Sequence, residues 1–322
     1  MTAFAFDMRH TTYDIQLKSL PPSLHSLIII PMTPDEYCQN ISAKSGSSFY
    51  YSFMFLPELK RRAITALYAF CREVDDVVDE CKDETIAQTK LNWWRSEISQ
   101  LFSGKPQHPV TQALQPLLKE FNLAEEYFTE IIDGMEMDLS VSQYQTFTDL
   151  SLYCYRAASV VGLLSAEIFG FKNRQTLRYA HDLGMAFQLT NILRDVREDA
   201  ERGRIYIPLD ELEQFNVSIQ DLTHPVTSDS VKALFNHQAN RAREYYLKAF
   251  SELPEEDRFS QRTGLIMAEI YQSILNEIEN DGFKVLEHRI KLSSARKLWL
   301  AWRQSRREKK RYKNFIRQQT VS

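Results

Sequence analysis

The segment Asp75-Asp76-Val77-Val78-Asp79 sets two carboxylates four residues apart. At about 100° per residue, Asp75 and Asp79 lie within about 40° of each other on one helix face, one turn apart. Tyr68 and Arg72 extend that polar face through sequence otherwise rich in apolar residues. Far downstream, Gln188, Asn191, Asp195 and Asp199 fall within an arc of about 80°, while Leu189, Ile192, Leu193 and Val196 cover other directions. Like charges at this spacing cost an isolated helix about 0.2–0.5 kcal/mol, so each pair calls for a compensating cation.

Each pair could form salt bridges with Arg72, Arg194 or Arg197 on a solvated face. Two pairs, each embedded in apolar sequence, argue for another arrangement. Facing helices carrying such pairs would form an all-oxygen site at the mouth of a cavity. Such a site suits Mg²⁺, a hard cation commonly shared between one or two carboxylates and substrate phosphates. Arg72, Arg194, Arg197, Arg202 and Arg204 crowd both motifs, and the guanidinium fork grips phosphate oxygens bidentately, so diphosphate is the expected ligand group. Neither G-x-x-x-x-G-K-[ST] nor G-x-G-x-x-G occurs, which leaves P-loop ATP hydrolysis and a Rossmann cofactor unsupported. Cys38, Cys71, Cys81 and Cys154 form no C-x-x-C pair and read as reduced, buried thiols. The seven histidines show no H-x-x-x-H spacing, so a zinc site has little support.

Only long helices can present side chains in this way, and the composition agrees. The 322 residues include 9 glycines and 11 prolines, a share about half the usual one. With 43% hydrophobic and 25% charged residues, the chain can bury a large core and is neither disordered nor collagen-like. The expected fold is all-α, with no strand–helix alternation and no solenoid repeat. Apolar spacing predicts helices over 57–80 and 175–200, and others near 84–102, 124–139, 149–169, 229–251 and 260–280, with breaks at 104–109, 170–173, 203–208 and 224–228. Thr33-Pro34-Asp35-Glu36 reads as the start of the first helix, which makes Met32 a candidate internal start. Residues 1–31 are expected to be a poorly ordered extension, 32–303 the folded domain and 304–322 a basic tail. The longest apolar runs, such as Val160–Leu164, fall far short of the ~18 residues that cross a bilayer, and Leu27–Ile30 is too short for a secretory signal. The expected compartment is the cytoplasm.

At its acidic motifs the chain resembles the squalene/phytoene synthase family, the head-to-head branch of the trans-isoprenyl diphosphate synthases. The resemblance spans about 33–303. It rests on Ser47-Ser48-Phe49-Tyr50-Tyr51, on Tyr68-Ala69-Phe70-Cys71-Arg72-Glu73-Val74-Asp75-Asp76, on Tyr153-Cys154-Tyr155, and on Gln188 through Arg204-Ile205-Tyr206-Ile207-Pro208. Within the family, Ser45–Phe53 is most similar to bacterial presqualene diphosphate synthases of the hopanoid pathway. The resemblance implies an isoprenoid-synthase helical bundle around a central cavity holding two farnesyl diphosphates. It implies that Asp75, Asp79, Asn191, Asp195 and Asp199 bind Mg²⁺ and the diphosphates, and that Arg72, Tyr68, Arg194 and Gln188 complete that mouth. Ser48 and Phe49 would belong to the loop covering the diphosphates, and Tyr153, Tyr271 and Arg289 would stand near the reacting ends. Phe49, Tyr153, Phe187 and Tyr271 are candidates for holding an allylic carbocation, or simply for core packing.

One departure bears on the product. Squalene synthases that run the reductive second step carry a tyrosine two residues after the cysteine of the Tyr-Cys motif, where this chain has Arg156. Together with the missing nucleotide signature, this favours arrest at presqualene diphosphate without NADPH. The competing expectations are a full squalene synthase using NADPH, a phytoene synthase joining two geranylgeranyl diphosphates, and a non-catalytic assembly factor on the same fold. The intact aspartates argue against the last. From Arg289 to Arg317, twelve Lys or Arg accompany one acid, Glu308, a local charge of +11 in a chain of net −4. With Trp299, Trp302, Tyr312 and Phe315, this stretch suits an anionic membrane surface or a solvated helix followed by a disordered tail. No nucleic-acid recognition motif accompanies it.

Overall fold

The computed structural model describes residues 32–44, 52–81 and 83–321. The expected extension over 1–31, and Ser48 and Phe49 with the covering loop expected for them, lie outside the described residues. Helices follow one another as α1 (Pro34–Lys44), α2 (Glu58–Glu80), α3 (Glu84–Phe102), α4 (Pro109–Leu114), α5 (Leu117–Glu120), α6 (Glu125–Ser140) and α7 (Phe147–Cys154). After these come α8 (Val160–Phe169), α9 (Gln175–Glu201), α10 (Leu209–Gln214), α11 (Asp229–Glu252), α12 (Arg262–Asn280) and α13 (Ser294–Val321). Among the described residues the only β feature is a parallel bridge between Gln143 and Ile205.

The helix starts follow from local chemistry. Asp83 caps α3 by accepting from the Thr85 and Ile86 amides, Thr146 and Asp149 form a reciprocal capping box on α7, and Ser228 caps α11. Asp257 ties down the start of α9 from a distance, accepting from the Lys172 and Asn173 amides and the Thr176 hydroxyl at 2.7, 2.9 and 2.7 Å. Gly170 closes α8 at φ +78° and Gly203 follows α9 at φ +80°, left-handed conformations that glycine adopts without strain.

The sequence pattern predicts one helix over 149–169, but the structure interrupts it. Tyr155–Ser159 forms a π-helical turn between α7 and α8, which widens the backbone by one residue. Apolar spacing does not register such a turn. Phe147–Phe169 taken together is long and apolar enough to cross a membrane, contrary to the expectation from short apolar runs, yet 67% of its 18-residue apolar window is buried inside the protein. It is a core segment that packs against α9.

Helix α9 is the centre of the fold, lying against α11, α8, the π turn and α12. Its closest crossings use glycine. A Cβ at Gly184 would lie 2.5 Å from the Ser159 Cα, and one at Gly162 would lie 2.5 Å from the Ala180 carbonyl oxygen. Helix α13 continues through 303/304, the expected start of the tail, and its Glu308 is buried against Arg258 at 2.9 Å. Cys38, Cys71 and Cys154 are buried free thiols, as the spacing suggested, and Cys81 is a half-buried one.

Two tests follow from this packing. Gly184→Ala should lower unfolding free energy by about 1–3 kcal/mol in denaturant titrations, because backbone must shift to admit the methyl group. Glu211 joins α10 to α11 through Arg241 and Gln238. Burial alone would raise its carboxyl, but hydrogen bonds from Arg241 and Gln238 and the Arg241 charge hold it below the ordinary 4.5. That stabilisation is complete above 4.5 and is lost as pH falls through the lowered value. Stability should therefore drop on acidification in the wild type and drop less steeply in Glu211→Gln.

Candidate active site

Helices α2 and α9 share one design. Each lines an apolar cavity with its N-terminal part, through Ile64 on α2 and Tyr179, Leu183 and Phe187 on α9. Each then carries its acids near its C-terminal end. At 1.5 Å per residue, Asp199 lies about 18 Å along α9 from Phe187, and Asp75 about 16 Å along α2 from Ile64. Phe53, Val161, Phe169 and Met267 complete much of the cavity wall. Gly162, Gly184 and Ala158 also line it, so the π turn and its glycine crossings shape the cavity.

At the acidic end the arginines approach from several elements. Arg72 donates to Asp75 at 3.0 Å and to Asp76. Arg204, in the loop after α9, reaches across to Asp79 at 3.0 Å and to the Val78 carbonyl at 3.3 Å, with Arg202 at 3.9 Å from the same carboxylate. Arg194 bonds Asp195 through Nε at 2.8 Å and through its terminal nitrogen. Arg289, far along the chain, meets Asp195 and Glu198, each at 2.9 Å. Arg197 instead pairs with Glu201 and the Leu286 carbonyl.

The electrostatics follow from burial. Asp75, Asp195 and Asp199 are each at most 2% exposed. Burial would raise the Asp195 carboxyl, but Arg194 and Arg289 hold it below its ordinary value. Burial raises Asp199, and the Asp195 charge adds in the same direction. Asp76, less buried, is pushed up to about 6 by desolvation against the opposing pull of Arg72. Desolvation also pushes the Tyr271 phenol up to about 12. Both amide atoms of the wholly buried Gln188 have no hydrogen-bond partner among the described residues. An unpaired buried amide is costly, so this side chain is suited to an incoming polar ligand. No three His, Cys, Asp or Glu side chains among the described residues converge into a ready-made metal cluster.

Arg72 thus meets Asp75 within α2, Arg194 and Arg289 meet on Asp195, and Arg204 ties the end of α9 to Asp79 of α2, while Asp199 lies buried one turn beyond Asp195. Asn191, Gln188 and Tyr68 lie buried on the same two helices, and the Tyr271 ring sits 4.7 Å from that of Phe187, in the cavity wall. Tyr153 enters a second cluster. Its hydroxyl donates to Asp138 at 3.1 Å, Tyr206 donates to the other Asp138 oxygen at 2.7 Å, and the Tyr153 and Tyr206 rings stack at 5.0 Å. Desolvation raises the Asp138 carboxyl, with Arg204 opposing it. The sequence motifs did not single out Asp138 or Tyr206 as site residues. Tyr206 lies inside a quoted motif, but Asp138 has no local signal, because its partners come from α7 and the loop after α9.

A family model described as squalene/phytoene synthase matches residues 42–296. The chain belongs to that family. Its members are prenyltransferases that condense isoprenyl diphosphates head to head. A 15-cis-phytoene synthase of Synechocystis sp. is 38% identical over 278 residues, 82% of each chain. Phytoene synthase 1 of Arabidopsis thaliana is 33% identical over 305 residues, 90% of this chain and 71% of that one. Among solved structures, a dehydrosqualene synthase matches with a TM-score of 0.76 at 30% identity, covering 86% of this chain and 97% of that chain. Squalene synthase HpnC from Alicyclobacillus acidocaldarius matches with a TM-score of 0.70 at 28% identity, covering 78% and 94%. The all-α isoprenoid-synthase fold expected from the motifs is the fold found.

Tyr206→Phe should lower stability by about 1–3 kcal/mol, since it removes one of the two hydroxyls on the buried Asp138 carboxyl. Chemical denaturation of the variant beside the wild type measures this, and an unchanged midpoint would show that the cluster is not a fastening of the fold.

Proposed function

We propose that this protein joins two farnesyl diphosphates head to head, forming presqualene diphosphate and releasing one diphosphate and a proton. The observation that carries the reading is the pairing, on α2 and α9, of an apolar cavity with an arginine-laced carboxylate end. A molecule with a long hydrocarbon chain and a diphosphate head has the matching polarity.

The donor set fits a hard divalent cation, since Asp75, Asp79, Asp195, Asp199 and Asn191 offer only oxygen ligands of the kind Mg²⁺ takes, and the unpartnered Gln188 amide adds polar capacity nearby. Mg²⁺ bound there supplies Lewis-acid stabilisation of the charge that develops on the departing diphosphate. Arg72, Arg194, Arg204 and Arg289 now rest on carboxylates, and a diphosphate offers their forks an alternative anion. Arg194 is fully buried, so its charge acts with little screening by water. Phe187, a cavity-wall residue with the Tyr271 ring 4.7 Å from its own, offers a ring face worth about 0.5–2 kcal/mol to an allylic cation, and the apolar wall excludes water that would quench it. The cation's carbon attacks the double bond next to the second diphosphate, and loss of a proton closes the cyclopropane. Ser48 and Phe49 are assigned to the covering loop, and Tyr68 and Tyr153 to the support of the reacting end.

Arrest at the cyclopropyl product, without NADPH, is supported by Arg156. It stands where two-step enzymes carry tyrosine, and its Nε is bonded to Glu130 at 2.8 Å. Four free cysteines fit a cytoplasmic setting. The likeness to phytoene synthases favours a second reading, the joining of two geranylgeranyl diphosphates in the same site.

Product analysis of purified protein with C15 and with C20 diphosphates, each with and without NADPH, decides between them. Presqualene diphosphate from the C15 substrate is expected, unchanged by NADPH. A C40 hydrocarbon as the main product would establish the second reading, and squalene formed only with NADPH would sink the arrest. Asp79→Ala and Asp199→Ala should each abolish Mg²⁺-dependent diphosphate release, and unchanged release would remove these residues from the metal site.

A further inference from the structure

Helix α13 is built with two faces. Its inner side buries Lys297, Ala301, Gln304 and Glu308. Salt bridges from Arg296 to Glu277 and from Arg303 to Glu269 fasten it to α12. Arg258 meets Glu308, and Tyr312 stacks on Phe259 at 4.3 Å. At 100° per residue, Leu298, Trp302, Arg306, Lys309, Lys313 and Arg317 fall within about 100° on the opposite side, with Trp299 at the edge of that arc. Leu298, Trp299 and Trp302 are 44%, 51% and 49% exposed. Arg306, Lys309, Lys313 and Arg317 are exposed as well, and no carboxylate among the described residues pairs with them.

We propose that this outward stripe is a docking surface for an anionic lipid bilayer, on which α13 lies in the plane of the headgroups. The stripe is apolar in its first half and mainly basic in its second, where Ile316, at the same angle as Leu298, is exposed among the basic side chains. Tryptophan favours the boundary between headgroups and acyl chains, and lysine and arginine favour anionic headgroups. Arg303 and Arg306 stack over Trp299 and Trp302 at 4.3 and 5.2 Å, which keeps the indoles at the surface beside cations.

Charge segregation supplies the orientation. The helix carries ten Lys or Arg against one acid, and that acid is buried, so the rest of the chain has a net charge of −13. An anionic surface repels the body and attracts α13, which turns this face toward the lipid during approach. The position of the helix fits a greasy substrate. Tyr312, Phe315 and Ile316 line a groove with Phe171, and Phe169 walls both that groove and the central cavity. The basic half of α13 therefore lies by the apolar end of the cavity, away from the carboxylates that anionic lipid would repel.

The test uses the full chain and extruded vesicles of phosphatidylcholine, with or without phosphatidylglycerol at about 30 mol%, in co-sedimentation at low and high salt. The wild type should bind the anionic vesicles and be released at about 1 M salt, where the Debye length is about 3 Å. Lys309→Ala/Lys310→Ala/Lys313→Ala should weaken binding on the order of 100-fold. Trp299→Ala/Trp302→Ala should weaken it as well and abolish the shift in tryptophan emission on vesicle addition. Both variants should keep wild-type turnover of detergent-dispersed substrate, which separates lost docking from lost folding or lost catalysis. Absence of binding to anionic vesicles, equal binding to neutral ones, or equally tight binding to a duplex oligonucleotide would overturn the proposal.

Discussion

The structure is organised around the problem of keeping four aspartates in the wall of an apolar bundle. Burial opposes ionisation, and each carboxylate raises the cost of its neighbour. Placement adds to the cost, because both acidic motifs sit near helix C-termini, where the backbone itself contributes negative partial charge. Neither α2 nor α9 carries a basic residue in its last turn. The compensating charge comes from elsewhere: Arg72 one turn back, Arg204 from the loop after α9, and Arg289 from the approach to α13. The connections are thereby tied to the acids, and the segments that close the site are those that stabilise its charge.

The same helices must also leave space. An apolar cavity in a close-packed interior survives only where the wall cannot collapse into it. Here the backbones of α8, α9 and the π turn meet through Gly162, Gly184 and Ala158, so one side of the cavity is walled largely by main chain. Main chain held by helical hydrogen bonds cannot swing inward as a long side chain can. Phe187 and Phe169 then supply bulk at defined places on a wall that is otherwise thin. Polar end and apolar cavity therefore depend on the same two helices running unbroken, for which the scarcity of glycine and proline is the compositional trace.

How much of this was legible depends on whether a contact is local. Asp75 with Asp79 and Asp195 with Asp199 are visible because helix periodicity alone puts them together, and Arg72 and Arg194 lie within the same turns. Asp138 is invisible: nothing around it in α6 distinguishes it from a surface acid, and its meaning comes from Tyr153 and Tyr206, which tertiary folding delivers. The π turn at Tyr155–Ser159 escaped for a different reason, since one extra residue in a helix of small and apolar side chains leaves the hydrophobic pattern almost unchanged. The continuation of α13 beyond residue 303 was obscured by its own charge. Its inner face is mixed: Leu300 and Ala301 are buried beside Lys297, Gln304 and Glu308, and Glu308 takes both Arg258 and the Gln304 amide.

That seam explains why the basic helix stays with the body while presenting so much charge outward. The buried Arg258–Glu308 pair is directional and specifies one register of α13, with Arg303 on Glu269 and Arg311 on Glu255 adding weaker contacts at the exposed rim. The segment leading into the helix is fixed by the site itself. Phe283 turns it in the left-handed region at φ 63°, Arg197 holds the Leu286 carbonyl, and Arg289 ends on Asp195. One continuous stretch therefore supplies a cation to the buried acids at its start and a cationic face to the exterior at its end. The carboxylate site and the surface helix are two ends of the same solution to a strongly divided charge distribution.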